Sequence, residues 1–553
     1  MTLHSKGHLL ETLGCSMPLY DPHHWTIKRA FIKDAPYQNA CASRTPTVLI
    51  QKLDRVILDT GALRRGYNVS EQEFSCQYRE VFRDIHATVP DATISFGQAT
   101  PLHFNRTLNG EFVEFLDENS ASLSVLILGI DSTSRMNFHR HMEETRRYLA
   151  EELNAFEFVG LNKVGDSSFP NLMPLLTGLS AAEAESLYTR LGSFDDFPLL
   201  WTPYRRKGYR TLYLEEMPHY SLFTYPNFTG FLSAPPADYY PVPVLRLLDG
   251  NGDDRYCAGS RLKTAVFIDY LKDVLKYNRG RSMFSFVWLS DLTHNHMKGL
   301  KILDAMLASF LRELYTAGVL NDTALLFLSD HGPRIGPYRM AEIGRYEDKN
   351  PFCFLALPER FLAAHPKAAT QLQVNQRRLI THYDLHATLL SLSGLPDLHS
   401  LPTDKGLNLF GRIPSERTCA DAFIGHEFCA CLDAREKLDS SKVSLSFSRY
   451  AVAYINALAQ LNFPGKCVNW ELDAVNEASV LGGRVAGKVV LRVVITTVPM
   501  AHFEVYGVLL NESSWEKRVD LVQRLDRYSN QTKCLPNSRL QKICMCREEL
   551  QKA

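Results

Sequence analysis

The 553-residue sequence predicts an α/β fold, a mostly parallel sheet flanked by helices, followed by a smaller β-rich, cysteine-containing subdomain. Two observations carry that prediction. From residue 121, near-continuous apolar runs that end in polar residues alternate with amphipathic stretches. That is how strands buried on both faces and their crossover helices read. After about Ile413, cysteines crowd at 419, 429, 431, 467, 534, 544 and 546, and long β-type runs replace the alternation.

The first buried strand is SLSVLILGID (122–131). GYRTLYLEE (208–216), FSFVWLSD (284–291), ALLFLSDHG (324–332) and FCFLALP (352–358) have the same character. Between the third and fourth of these, Leu303, Met306, Leu307, Phe310, Leu311 and Leu314 recur at i, i+3, i+4 spacing, which gives one apolar helical face. Strand, helix and strand over that span make a βαβ unit, and several such units imply a mostly parallel sheet. VVLRVVITTVPMAHFEVYGVLL (489–510) supplies the β-type runs of the last part. The expected division is an N-terminal extension packing on the core (1–120), the core itself (121–413) and a disulfide-braced C-terminal part (414–553) whose cysteine connectivity spacing does not reveal.

Lys+Arg and Asp+Glu both number 61, so no global charge excess points to nucleic acid. The 12 cysteines include Cys429/Cys431 and Cys544/Cys546, which are C-x-C pairs and not the C-x2-C of structural zinc. Six N-x-S/T sequons, at Asn68, Asn105, Asn227, Asn321, Asn511 and Asn530, exceed the about two or three that chance provides. Cysteines and sequons together point to an oxidising compartment, with disulfides and glycosylation. Met1 to Cys15 lacks the apolar stretch of a signal peptide, and no run of 18 apolar residues occurs. The expectation is an extracellular or lumenal protein whose start, and any membrane tether, lie outside this chain.

In open α/β sheets, ligands bind beyond the carboxyl ends of the strands. Asp131 ends the first strand, Asp291 the third, and Asp330 with His331 the fourth. A single aspartate there is usually a turn former or helix cap. Three of them, one joined by His331 and one followed by His294 and His296, form a carboxylate and imidazole set that suits zinc or manganese. A nucleophile candidate lies in VGDSSFPNLMPLLTG (164–178). Pro170 fits only the first turn of a helix, so Ser168 is expected near a helix N-terminus, where backbone N–H groups and the dipole favour an anion. The plain alternative is that Ser168 merely caps that helix.

Asp131, the S-F-P-N…L-L-T-G segment and S-D-H-G together resemble the alkaline phosphatase superfamily, which includes sulfatases, nucleotide phosphodiesterases and phosphoethanolamine transferases. GCSMPLYDP, CADAFIGHEFCAC (419–431) and RLDRYSNQTKCLPNSRLQKICMC extend the resemblance to a family of animal sulfatase-like ectoproteins over nearly the whole chain. The resemblance implies that Asp131, Ser168, Asp330 and His331 ligate one divalent metal, zinc first, with manganese or calcium possible. Asp291 with His294 or His296 would supply part of a second site. Asn171 would contact a non-bridging substrate oxygen.

The sequence departs from the better-known enzymes in two places. The C-x-P-S-R of formylglycine sulfatases is absent, since Ser168-Phe169-Pro170-Asn171-Leu172 stands in its place. The D-x-x-x-H of phosphodiesterases is also broken, because Asn295 follows Asp291 at that spacing. His382 and His386 fall in a segment that resembles a structural strand-to-helix turn, with Asp384 as its cap. Arg334, Arg339 and Arg345 follow S-D-H-G in a loop expected to overhang the site, and Lys163 precedes the nucleophile. Any of these four could meet a phosphate or remain a solvated side chain.

The implied function is metal-dependent hydrolysis or transfer of a phosphate ester by Ser168. Alternatives are a sulfuric ester hydrolase and a catalytically inactive extracellular binding protein. The expected partner is a phosphorylated or sulfated ester, with no nucleic acid.

Overall fold

A computed structural model describes residues 7–28, 41, 46–52, 55–83, 87, 94–101, 122–249, 256–394, 405–431, 433–437, 442–482, 490–511, 514–515, 521–536 and 538–550. The expected boundary at residue 120 and the sequon at Asn105 lie outside those residues.

Six strands form the central sheet: β1 (Ser124–Ile130), β2 (Phe156–Glu157), β3 (Arg210–Glu215), β4 (Met283–Leu289), β5 (Thr323–Leu328) and β6 (Cys353–Ala356). Their order is β2-β6-β5-β1-β4-β3. β5, β1, β4 and β3 run parallel, while β6 is antiparallel to β5 and to β2. β1 and β4 are buried at every position, as strands covered on both faces must be. The fold class expected from the sequence is the one observed.

The helices that matter for the site are α1 (Arg135–His141), α2 (Ser168–Thr177), α3 (Lys263–Tyr277), α4 (Leu300–Thr316), α5 (Glu342–Lys349) and α6 (His382–Leu392). α4 crosses from β4 to β5 over β1 and buries Leu303, Leu307, Phe310, Leu311 and Leu314, while Met306 is half-buried. With α3 it covers Leu128, Leu214 and Val287 on one face of the sheet.

The N-terminal residues pack on this core. A hairpin of His8–Glu11 and Ser16–Pro18 buries Leu10 and Met17 in a cluster with Ile343, Tyr346 and Leu379. A Cys15–Cys431 disulfide pins that hairpin, and Cys41–Cys257 makes a second cross-link.

The C-terminal residues build an antiparallel sheet from β7 (Asp433–Lys437), β8 (Glu471–Gly482), β9 (Val490–Val498), β10 (Ala501–Asn511) and β11 (Val522–Arg524), with Ser514–Trp515 on its edge. The 489–510 run is the β9–β10 hairpin. A 21-residue helix, α7 (Lys442–Asn462), packs on this sheet through Phe447, Ala451, Val452, Ile455 and Ala459. Cys419–Cys429, Cys467–Cys544 and Cys534–Cys546 brace the region, and Cys76 and Cys353 remain as thiols. Among the described residues no helix is long and apolar enough to cross a membrane.

Candidate active site

β1 lies between β4 and β5, so residues that follow these strands converge at one edge of the sheet. Asp131 leaves β1 with its N–H on the Leu289 carbonyl of β4 (2.9 Å). Ser132 then turns through a left-handed conformation (φ 57°), held by its N–H on Asp330 Oδ1 (3.1 Å) and its hydroxyl on Asp131 Oδ1 (3.1 Å). After β5, Asp330 and His331 enter from the other side. Gly332 follows because a Cβ there would lie 1.7 Å from the Glu347 carbonyl oxygen of α5.

Asp131, Asp330 and His331 are all buried, and one ligand atom from each lies within 4.8 Å of the others. The His331 ring is oriented by its backbone. Nδ1 stands 2.7 Å from the Gly332 carbonyl, which can only accept, so Nδ1 carries the hydrogen. Nε2 then faces Asp330 Oδ2 at 3.3 Å and Asp131 Oδ1 at 4.0 Å. Asp330 Oδ2 is buried without a hydrogen-bond partner. Two carboxylates and an imidazole lone pair facing one another repel unless a proton or a cation lies among them. Burial, then the Asp330 charge, pushes the Asp131 carboxyl up to about 7. Burial alone would also raise Asp330, but His331 first, and then hydrogen bonds that include those from the Ser132 and His331 amides, outweigh it and hold that carboxyl below its ordinary value. The donor set of two oxygens and one nitrogen, with its orphaned oxygen, fits a divalent cation of the zinc or manganese kind.

Ser168 opens α2. Ser167, in extended conformation, precedes it, and Pro170 occupies the first turn, where a missing N–H costs nothing. The half-buried Ser168 hydroxyl donates to Asp131 Oδ1 at 3.3 Å. Its loop is held by Asn171, which is fully buried. Asn171 Oδ1 accepts from the Val164 and Gly165 amides (2.7 and 3.2 Å), and Nδ2 donates to the Gly165 and Ser167 carbonyls (3.0 and 2.8 Å). Both amide hydrogens are thus spent inside the loop. The substrate-oxygen contact implied by resemblance is not the role this geometry gives Asn171.

Asp291, His294 and His296 form no comparable three-ligand group among the described residues. Asp291 is buried and its N–H binds Glu216 (2.9 Å), at the end of β3, while the exposed His294 stacks on Tyr220 (5.8 Å between centroids). His386 is buried with Nδ1 on the Leu175 carbonyl (2.8 Å), and burial lowers it to about 4, so it ties α6 to α2 as a neutral ring. Asp384 closes a capping box with Thr381, as its expected capping role requires.

The arginines after S-D-H-G separate. Arg334 stays at the site, but Arg339 and Arg345 are buried. Arg339 binds Asp348 (3.2 Å) and Glu504 (3.1 Å), and Arg345 stacks on Tyr346 at 4.5 Å. Lys163, also buried, pairs with Asp348 at 2.6 Å. A buried cation is costly unless paired; Lys163 and Arg345 are engaged within the core, and Arg339 ties the core to the C-terminal sheet through Glu504 instead of overhanging the site. Two residues at the site carried no sequence signal of their own: Asp166, two positions before Ser168, and Lys542, whose Nζ lies 3.4 Å from Asp166 Oδ2. A pairing across 376 residues leaves no local pattern to find.

Fold and site define an α/β protein with a buried Asp–Asp–His group and a helix-opening serine at the carboxyl edge of a parallel sheet. The chain belongs to the family described as Protein of unknown function (DUF229), matched over residues 57–476. No curated protein sequence matches it. Among solved structures it is similar to the C-terminal periplasmic domain of phosphoethanolamine transferase EptC from Campylobacter jejuni, at 12% identity over 54% of this chain and 97% of that one, TM-score 0.36. It is also similar to an alkaline phosphatase superfamily protein from Vibrio parahaemolyticus, at 10% identity over 72% and 82%, TM-score 0.38. A third is the lipoteichoic acid synthase LtaP from Listeria monocytogenes, at 10% identity over 69% and 86%, TM-score 0.34. At these TM-scores the likenesses say nothing of activity.

Proposed function

We propose that the protein is a metal-dependent phosphate-ester hydrolase or phosphoryl transferase of the alkaline phosphatase type, with Ser168 as nucleophile. The observation that carries this reading is the Ser168 hydroxyl, 3.3 Å from Asp131 Oδ1, at the first turn of a helix and beside the buried Asp131, Asp330 and His331. Asp131, Asp330 and His331 would hold the cation, with the Ser168 oxygen beside them. Such a cation, when bound, lowers the pKa of a nearby hydroxyl and offsets charge developing on phosphoryl oxygens.

The chain's own residues do the rest. Asn171 and the Gly165 turn fix the backbone leading into Ser168, and the start of α2 would favour an anion there through its N-terminal amides and dipole. The Ser168 oxygen attacks phosphorus as the ester oxygen leaves in line, and water or an acceptor hydroxyl then releases the phosphoryl group from the serine. Among the described residues the only other three-ligand group, Cys419, Cys429 and Cys431, is taken up in disulfides, which favours one tightly held cation at Asp131, Asp330 and His331, with Asp291, His294 and His296 left to shape the rim.

Five disulfides, and four sequons on exposed asparagines (Asn68, Asn227, Asn321 and Asn530), support an extracellular or lumenal location.

The test is hydrolysis of aryl phosphate monoester, phosphodiester and sulfate esters with added zinc or manganese, beside an Asp330→Ala variant. Metal-dependent turnover of a phosphate ester, lost in the variant, is expected. Turnover confined to the sulfate ester would replace this reading with sulfohydrolysis, and equal turnover in the variant would remove the assigned centre.

A further inference from the structure

We propose that Arg334, Asp166 and Lys542 form an oxyanion subsite beside Ser168, with Arg334 as the group that meets the substrate and the C-terminal segment 539–543 holding it ready. This rests on the reading of Ser168 above and extends it to the recognition of the substrate's charge.

Asp166 lies two residues before Ser168, and Arg334 three residues after His331. Both side chains stay partly open, 26% and 24% exposed, with Arg334 NH1 3.6 Å from Asp166 Oδ2. An arginine quenched by one carboxylate would have little charge left for a ligand. Here Lys542, only 5% exposed, brings a second cation to the same Oδ2 at 3.4 Å. Two cations share one carboxylate, which leaves the group one positive charge. Lys163 does not add to it, since its ammonium is taken by Asp348 at 2.6 Å. Arg339, from the same loop as Arg334, is buried against Asp348 and Glu504. Arg334 is therefore the guanidinium of the three arginines that remains partly open at the nucleophile.

Lys542 is placed by the C-terminal fold. It sits in the short helical turn Arg539–Ile543. Arg539 lies over the Phe169 ring at 5.1 Å and binds Glu185 at 2.6 Å, so the segment touches the residue after Ser168 as well as Asp166 before it. On its other side the segment is fastened by Trp470 Nε1 on the Ile543 carbonyl (2.9 Å), by Arg524 on the Cys544 carbonyl (3.0 Å) and by the Cys467–Cys544 disulfide. Sequence 376 residues away thus brackets the nucleophile. A partly exposed guanidinium with surplus positive charge suits a tetrahedral oxyanion, the phosphoryl or sulfuryl group of an ester, bound through paired N–H donors.

The experiment is calorimetric titration of the full chain, supplied with zinc, with inorganic phosphate in one arm and sulfate in the other. Wild type is compared with Arg334→Ala, Arg334→Lys, Lys542→Gln and Lys542→Arg, and thermal midpoints are recorded for each. Arg334→Ala is expected to weaken oxyanion binding by about tenfold or more. Lys542→Gln should weaken it by about threefold. The two conservative variants should restore part of the loss, which a merely structural defect would not allow. Whichever arm responds names the oxyanion. Wild-type protein that binds neither, or an Arg334→Ala affinity within about twofold of wild type, overturns the subsite. Oxyanion binding that depends on Arg334 in a protein that turns over no ester would keep the subsite and sink the catalytic reading. Ester turnover with unchanged oxyanion affinity in the variant would do the reverse.

Discussion

Ser168 Oγ lies 3.3 Å from Asp131 Oδ1 across 37 residues of chain, so the opening of α2 and the end of β1 form one site. The consequences can be tested on cation binding, folding and chemistry separately.

Zinc should stabilise the protein through Asp131, Asp330 and His331. At a free concentration a hundred times its dissociation constant, a ligand specific to the folded state adds about 2.7 kcal/mol. Scanning calorimetry should show the midpoint rising with zinc in wild type and staying put in Asp330→Asn. A rise retained in Asp330→Asn would place the cation elsewhere.

Gly332→Ala should damage both fold and site, because the added Cβ would meet the Glu347 carbonyl at 1.7 Å and neither backbone can yield cheaply. A loss of roughly 2–4 kcal/mol is expected from denaturant unfolding. An unchanged midpoint would mean that the S-D-H-G loop is looser than described.

Glu157 predicts an acid-linked loss of stability. Burial opposes its charge, but hydrogen bonds from His139 and Arg135 prevail and lower its carboxyl from 4.5 to about 2. A carboxyl depressed by folding contributes stability that is full above 4.5 and fades as pH falls toward about 2. In Glu157→Gln, the fall of the thermal midpoint across that window should be shallower than in wild type. An identical slope would show that Glu157 does not carry the linkage.

The Cys467–Cys544 disulfide closes a separation of 77 residues, for which chain entropy predicts about 4.5 kcal/mol. Replacing both cysteines by serine should lower the unfolding midpoint of the C-terminal sheet. Since Cys544 anchors Lys542, oxyanion affinity should fall with it. Full retention of both would separate the disulfide from the site.

Much of this was legible in the sequence. Strands buried on both faces advertise themselves as apolar runs, so β1, β3, β4 and β5 and the acids at their ends could be read directly, and α4 showed its 3.6-residue period. Pro170 marked the start of α2, and with it the placement of Ser168. Helix α7 was obscured because its small and aromatic residues sit among β-type runs, although Phe447, Ala451, Ile455 and Ala459 keep helical spacing. The fates of Arg339 and Lys163 were beyond reach, since the carboxylates that bury them, Glu504 and Asp348, lie 165 and 185 residues away. Asn171 shows the limit of resemblance, for the same residue in the same motif here spends its donors on its own loop.

The central claim is that Ser168 is the nucleophile. Acid-quenched reaction of the zinc-supplied protein with an aryl phosphodiester, followed by peptide mass analysis, tests it directly. The account predicts a phosphoryl adduct on the peptide carrying Ser168, absent together with turnover in Ser168→Ala. Turnover that survives Ser168→Ala, or a formylglycine found at that position, would contradict it.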